Sequence, residues 1–161
     1  MVSMPMQVLI NLLIGFIWMF LQDSWSVLTF FSGYLFGLIV LFILRRYFPH
    51  QFYIVTLVAI LQLFFIFIQE LFTSSVLVVK QVMRPKINIT PGIFTLETEL
   101  EGDLEITLLA MLLTLTPGSV VVEVSHDEKK FYIHAMDIPE SSDAVIRSTE
   151  KFEAAIKRVT R

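Results

Sequence analysis

Residues 52–86 read FYIVTLVAILQLFFIFIQELFTSSVLVVKQVMRPK, and how this stretch meets water or lipid decides the fold. Phe52 to Gln69 carries no charge, Glu70 interrupts, and Leu71–Val79 is apolar again as far as Lys80. As one helix, 52–84 is about 50 Å long at 1.5 Å per residue. The hydrocarbon core of a bilayer is only about 30 Å thick. The end of this helix is therefore expected to emerge into water or to lie along the interface, where Lys80, Arg84 and Lys86 suit it. Pro85 cannot continue a helix and biases Arg84 away from helical geometry.

Outward from this stretch the 161-residue chain separates into two compositions. Residues 1–79 hold four charged side chains, Asp23, Arg45, Arg46 and Glu70, whereas 80–161 hold the other 10 Lys/Arg and 13 Asp/Glu. Two solvents are implied, and the division is placed at 84/85: a transmembrane region 1–84 and an α+β domain 85–161. Val2–Gln22 is uncharged and just reaches the about 20 residues a span needs. It lacks a basic start and a small-residue cleavage site, so it reads as a retained span rather than a signal peptide. Gln22-Asp23-Ser24 is a short polar break, and Val27–Leu44 is a second uncharged run ended by Arg45-Arg46 and Pro49. The pair reads as a tight helical hairpin, with Gly33-x-x-x-Gly37 matching the small-residue pattern of close helix contacts. With 52–84, three spans are expected. Three crossings place Arg45/Arg46 and Lys80/Arg84/Lys86 on opposite faces, in conflict with the preference of basic residues for the cytoplasm. The larger cluster is taken as inside, with Arg45 and Arg46 as interface anchors. A hairpin that fails to cross would remove the conflict.

Beyond Pro85 the periodicity changes. Ile87–Thr90 alternates, Pro91-Gly92 marks a turn, and Ile93–Leu96 is strand-like. Glu97, Glu99, Glu101, Asp103 and Glu105 read as a solvated acidic surface before a helix over Leu104–Leu115, which Pro117-Gly118 stops. That helix is apolar nearly all round, too short to span, and must be covered on several faces. Ser119–Ser125 and Lys130–Ile138 form a hairpin about His126–Lys129. A last helix, capped by Ser141 or Ser142, carries Val145, Thr149, Phe152, Ile156 and Val159 on one stripe. The fold class is thus an α+β membrane protein: N-terminal transmembrane helices, three in number, followed by a β-α-β-β-α domain.

Chemistry-bearing residues are few. Cysteine is absent, and His126 and His134 alone do not make a zinc site. No nucleophile elbow, phosphate loop or basic patch appears. No catalytic, cofactor-binding or metal residues and no nucleic-acid partner are therefore assigned. Glu70 is the one candidate: an ionisable group within an apolar segment marks either an ion or proton path at a subunit boundary or a structural hydrogen bond or ion pair. Asp23 reads as wet in the hairpin turn, and Asn11, Gln22, Gln62 and Gln69 as interhelical hydrogen-bond partners.

Several segments together carry a resemblance. They are Arg84-Pro85, Ile89-x-Pro91-Gly92-Ile93, Glu105-Ile106-x-Leu108-Leu109-Ala110, Leu113-Thr114-Leu115-Thr116-Pro117-Gly118-Ser119, Val122-x-Val124-Ser125 and Phe131-Tyr132-Ile133-His134-x-x-Asp137-Ile138. The chain resembles the E subunit (MrpE, or MnhE) of the multisubunit Mrp-type cation/proton antiporters of bacteria and archaea. His126–Lys130 departs from the family's more usual Asp- and Gly-containing turn. The resemblance implies an accessory subunit, not an enzyme, of a complex that exchanges sodium for protons, needed for assembly and exchange. It implies other antiporter subunits and the lipid membrane as partners, with cations and protons met indirectly, and a cytoplasmic C-terminal domain in a cell-membrane protein. An adaptor of a related, membrane-bound hydrogenase-type complex with no part in an ion path is the alternative.

Overall fold

The computed structural model describes residues 4–47, 51–86 and 89–161, without the side chains of Met4 and of residues 139–141. Pro49, Ile87 and Asn88, on which a helix end and half of an expected strand were placed, lie outside them, as does the side chain of Ser141. The chain divides into two compact units, Met1–Val58 and Ala59–Arg161, and the division falls inside a helix.

The first unit is a helical hairpin plus the start of a third helix. α1 is Met4–Leu21, α2 is Val27–Leu44, a 3-10 turn follows at Arg45–Tyr47, and α3, Tyr53–Val82, begins here. The hairpin turn places exposed Asp23 at φ 46°, in the left-handed region. Ser26 caps α2 by accepting the Thr29 N–H at 3.1 Å, which satisfies one of the open donors at a helix start. The two helices meet through their small residues. Gly33 and Gly37 are buried. A Cβ on Gly33 would stand 2.5 Å from Trp18 Cβ, one on Gly37 would overlap Asn11 Oδ1, and one on Gly15 would stand 3.0 Å from the Phe30 ring. The Gly33-x-x-x-Gly37 face is thus the contact face. Asn11 Oδ1 against the Gly37 backbone has the setting of a Cα–H···O contact, which recurs where helices approach this closely.

A polar network inside this unit ties α3 to the hairpin. Gln7 Nε2 donates to the Gln51 carbonyl at 3.2 Å, and Gln7 Oε1 accepts from the Tyr53 N–H at 3.1 Å. Asn11 Nδ2 donates to the Tyr53 hydroxyl at 2.7 Å, which also shares a hydrogen bond with Tyr34 at 3.0 Å. Gln7 and Asn11 are fully buried. Asn11 is thus the interhelical partner expected of it; Gln7 was not anticipated.

The second unit is the rest of α3 with an α+β domain: β1 Gly92–Glu97, α4 Asp103–Leu115, β2 Ser119–Val124, β3 Lys130–Ala135 and α5 Ile138–Thr160. β3 is central and antiparallel to both neighbours, giving the order β1-β3-β2. Phe131, Ile133 and Ala135 alternate inward from β3. They meet Leu109 and Leu113 of α4 and Phe152 and Ile156 of α5, so both helices cover one face of the sheet. The expected α5 stripe is the buried one: Val145, Thr149, Phe152 and Ile156 lie in the core. Leu63, Ile66 and Phe67 of α3 also pack against this core.

Three boundaries differ from expectation for local reasons. Ile89 and Thr90 join no strand, because their neighbourhood serves α5: the Asp137 carboxylate accepts the Thr90 N–H at 3.2 Å, and the Ile138 N–H donates to the Thr90 carbonyl at 2.9 Å. Gly92 belongs to β1 opposite Ala135 rather than to a turn, and a Cβ there would overlap Ile138. α5 begins at Ile138, not after Ser142, because Pro139 sits in the first turn where its missing N–H costs nothing. Ser142 is inside the helix and donates back to the Ile138 carbonyl.

One acid of the cluster expected to be solvated is not. Glu97, Glu99, Glu101 and Asp103 are exposed, but Glu105 is buried at the start of α4. Its carboxylate accepts from Arg161 Nε at 3.2 Å and Nη2 at 3.1 Å, from Thr160 Oγ1 at 2.5 Å and from the Glu101 N–H at 3.1 Å. The Arg161 hydrogen bond first, then Thr160 and the Glu101 N–H, hold its pKa at about 2, against the cost of burial.

This packing sets the cost of two substitutions. Gly33→Ala is expected to destabilise the purified full-length protein by about 1–3 kcal/mol, the range for forced overpacking. Gly15→Ala, which meets only a ring edge, should cost less. Thermal unfolding in detergent checks the order, and equal midpoints for the two variants would contradict it. Glu105 has a folded pKa below its unfolded value, so its contribution is complete above about pH 4.5 and is lost as pH falls toward 2. Because the Arg161 half of the pair is half-exposed, solvent screening keeps that contribution well below what the full shift would give. Glu105→Gln should flatten the acid limb of the stability curve.

Candidate functional site

Glu70 lies on the side of α3 that faces the α+β domain. Its carboxylate is 2.6 Å from Lys151 Nζ on α5, and its side chain is 11% exposed against 52% for Lys151. The site is therefore an ion pair, with the carboxylate inside and the ammonium stem reaching in from solvent. Thr73, Ser74 and Ser75, in the next turn of α3, return their hydroxyls to α3 carbonyls: Thr73 to Gln69, Ser74 to Glu70, and Ser75 to Leu71 at 2.6 Å.

Beside Glu70 is a cavity of about 50 Å³ whose lining includes Ser74, Thr116, Ser119, Val145 and Ser148. Each of the domain hydroxyls there donates to a backbone carbonyl. Thr116 gives to Leu113 at 2.8 Å, Ser119 to Leu113 at 3.2 Å, and Ser148 to Ala144 at 3.0 Å. With their protons engaged, these oxygens offer lone pairs, so the lining is rich in acceptors and suits a proton-donating or cationic group. Lys151 pairs with the Glu70 carboxylate at the edge of this space and is not among its lining residues. The local chain explains the shape: α4 ends at Leu115, Thr116 turns extended, and Gly118 at φ 100° brings the chain back into β2.

A second tie lies further along α3. Gln81, almost fully buried, donates from Nε2 to Asp137 Oδ2 at 3.4 Å, and Asp137 is the cap residue of α5. α3 is thus joined to both ends of the first half of α5. Lys151 and Gln81 carried no sequence signal, and Asp137 stood only as a member of the family motif. Glu70 and Lys151 stand 81 residues apart, and no local pattern links them.

Asp23 is exposed, as expected, and the Arg45 guanidinium stands 4.2 Å from the Phe42 ring centroid. His126 lies in the β2–β3 turn, and His134 on the exposed face of β3 opposite Ile93 and Val120. Among the described residues, no group of three His, Asp or Glu could hold a metal ion.

Apolar helices joined to a small α+β domain by a helix with a buried ion pair define a membrane protein of mixed fold. The family model described as MNHE, Na+/H+ ion antiporter subunit, matches residues 11–159. The chain is 48% identical over 158 residues to the E subunit of a Na(+)/H(+) antiporter of Bacillus subtilis (strain 168), covering 98% of this chain and 100% of that one. It is 40% identical, with the same coverage, to the E subunit of a Na(+)/H(+) antiporter of Alkalihalophilus pseudofirmus. This chain belongs to the MNHE family of Na+/H+ antiporter E subunits. Among solved structures, a chain of the Mrp complex from Dietzia sp. DQ12-45-1b is similar at 30% identity, over 59% of this chain and 89% of that one, with a TM-score of 0.45. A chain of an archaeal membrane-bound sulfane sulfur reductase shares the fold over 95% of this chain and 98% of that one, with a TM-score of 0.55 at 24% identity.

Lys151→Ala leaves the Glu70 carboxylate buried without its cation. The expected cost is about 1–3 kcal/mol, below the range for fully buried pairs because Lys151 is half-exposed. Glu70→Gln with Lys151→Ala should cost less than the two single changes added together. Thermal unfolding of the four proteins gives the coupling, and strict additivity would contradict the pair.

Proposed function

We propose that this chain is an accessory membrane subunit of a multisubunit sodium/proton antiporter, needed for its assembly and exchange. The observation that carries this reading is the full-length identity to subunits bearing that name. Other antiporter subunits and the lipid membrane are its partners, and it meets cations and protons through them. Residues 1–84 form the membrane region, with α1, α2 and α3 as its three apolar helices. Residues 85–161 form a cytoplasmic domain, in keeping with their charge density. In this reading Glu70 acts as one half of a structural pair that holds the domain to α3. Its cation is already present as Lys151.

The test is a strain lacking this chain, complemented with wild type, Glu70→Gln or Lys151→Gln. Native gels report complex assembly, and everted vesicles report sodium-induced dissipation of a proton gradient. Loss of the chain should abolish both. In each variant assembly and exchange should fall in step. An assembled Glu70→Gln complex with no exchange would instead put the carboxylate on an ion path, and full exchange without the chain would sink the reading as an antiporter component.

A further inference from the structure

We infer that the second half of α3 does not cross the bilayer but lies in its surface, as the lipid-facing cover of the α+β domain, so that the chain crosses the membrane only twice. This goes beyond the antiporter reading and requires only that the protein is attached to a membrane.

The residues of α3 that touch the domain are decisive. Leu63, Ile66 and Phe67 pack on its core, Glu70 pairs with Lys151, Val78 lies 3.6 Å from where a Gly118 Cβ would stand, and Gln81 reaches Asp137. With Ser74, which lines the cavity beside Glu70, these positions recur at three to four residues from 63 to 81, so the contact runs along about 27 Å of helix. A crossing needs about 20 residues. Any window of that length within Tyr53–Val82 contains Leu63 through Phe72, and therefore contains Glu70 and the residues seated on the core. A crossing α3 would carry the domain to hydrocarbon depth.

The domain cannot go there. Its other helix, α5, carries Arg147, Glu150, Lys151, Glu153, Lys157 and Arg158, and each charge at mid-bilayer costs about 2.5 kcal/mol or more. With the domain in water, only Tyr53–Gln62 remain free of it, about 15 Å of helix, half the hydrocarbon thickness.

The opposite face of α3 fits the surface of a membrane. Phe65, Phe72, Val76 and Val79, at i, i+7, i+11 and i+14, are all exposed, Phe72 at 68%. Half a turn round the helix lie the polar groups that meet the domain. An apolar stripe opposed to a polar one is the pattern of a helix lying in the interface plane. At the edge of the stripe a cleft of about 510 Å³ joins Phe72, Val76 and Leu77 to Lys80 and Arg84. Apolar floor and cationic rim together match an acyl chain below an anionic headgroup. Two crossings also remove the charge conflict of the sequence. With α1 and α2 as the pair that crosses, Arg45, Arg46, Lys80, Arg84 and Lys86 fall on one face, which basic residues mark as the cytoplasm.

The absence of cysteine makes the test direct. Single cysteines at Asp23, Tyr47 and Lys129, all exposed, are labelled with a membrane-impermeant maleimide in intact cells and in everted vesicles, in the full-length chain with its complex. Tyr47→Cys and Lys129→Cys should label only in everted vesicles and Asp23→Cys only in intact cells. Tyr47 and Lys129 on opposite faces, or all three on one face, would overturn the inference. Nitroxides at Phe65→Cys and Val79→Cys give a second readout. Equal membrane depth is expected, whereas a crossing helix would separate them by about 21 Å.

Discussion

The structure depends on one helix serving two environments at once. α3 presents an unbroken apolar stripe on one side and, on the other, a row that mixes core-filling residues with Glu70 and Gln81. A buried carboxylate is tolerated only when paired, and Lys151 meets that requirement from the far end of the domain. Everything else in the second unit is arranged so that this meeting can occur. The sheet sets the platform, α4 and α5 cover it, and the Thr116–Ser119 turn closes the space beside the pair.

The first unit solves a different problem, adhesion between apolar helices with no hydrophobic drive to separate them from lipid. Close approach at Gly33 and Gly37 supplies dispersion contacts, and the Gln7, Asn11 and Tyr53 network supplies direction. Both devices use uncharged groups, as a low-dielectric setting requires. The second unit uses full charges and buries three carboxylates, Glu70 and Glu105, each with a half-exposed cation, and Asp137, which accepts from Gln81 and the Thr90 N–H.

Much of this was legible in the chain. Gly33-x-x-x-Gly37 marked a true contact face, and the Val145–Ile156 stripe marked the core side of α5. The hidden parts were those decided across long separations. Glu105 looks like its neighbours Glu97 to Asp103 until Arg161, 56 residues away, selects it. Glu70 stood out as a lone charge, but whether it faced an ion or a side chain turned on Lys151, which any surface lysine resembles. Pro139 read as loop punctuation because a proline signals an end far more often than a first turn. Thr90 read as strand, whereas its backbone is used by Asp137 and Ile138.

The inward face of α3 carries the domain. Ser74 and Ser148 line the same small cavity from α3 and α5, and Val76 points away from it on the exposed side. The most direct measurement is cross-linking, with a short bismaleimide in native membranes, of Ser74→Cys paired with Ser148→Cys against Val76→Cys paired with Ser148→Cys. Efficient linkage is expected for the first pair and none for the second. Equal linkage of both, or linkage of the Val76 pair alone, would contradict the claim.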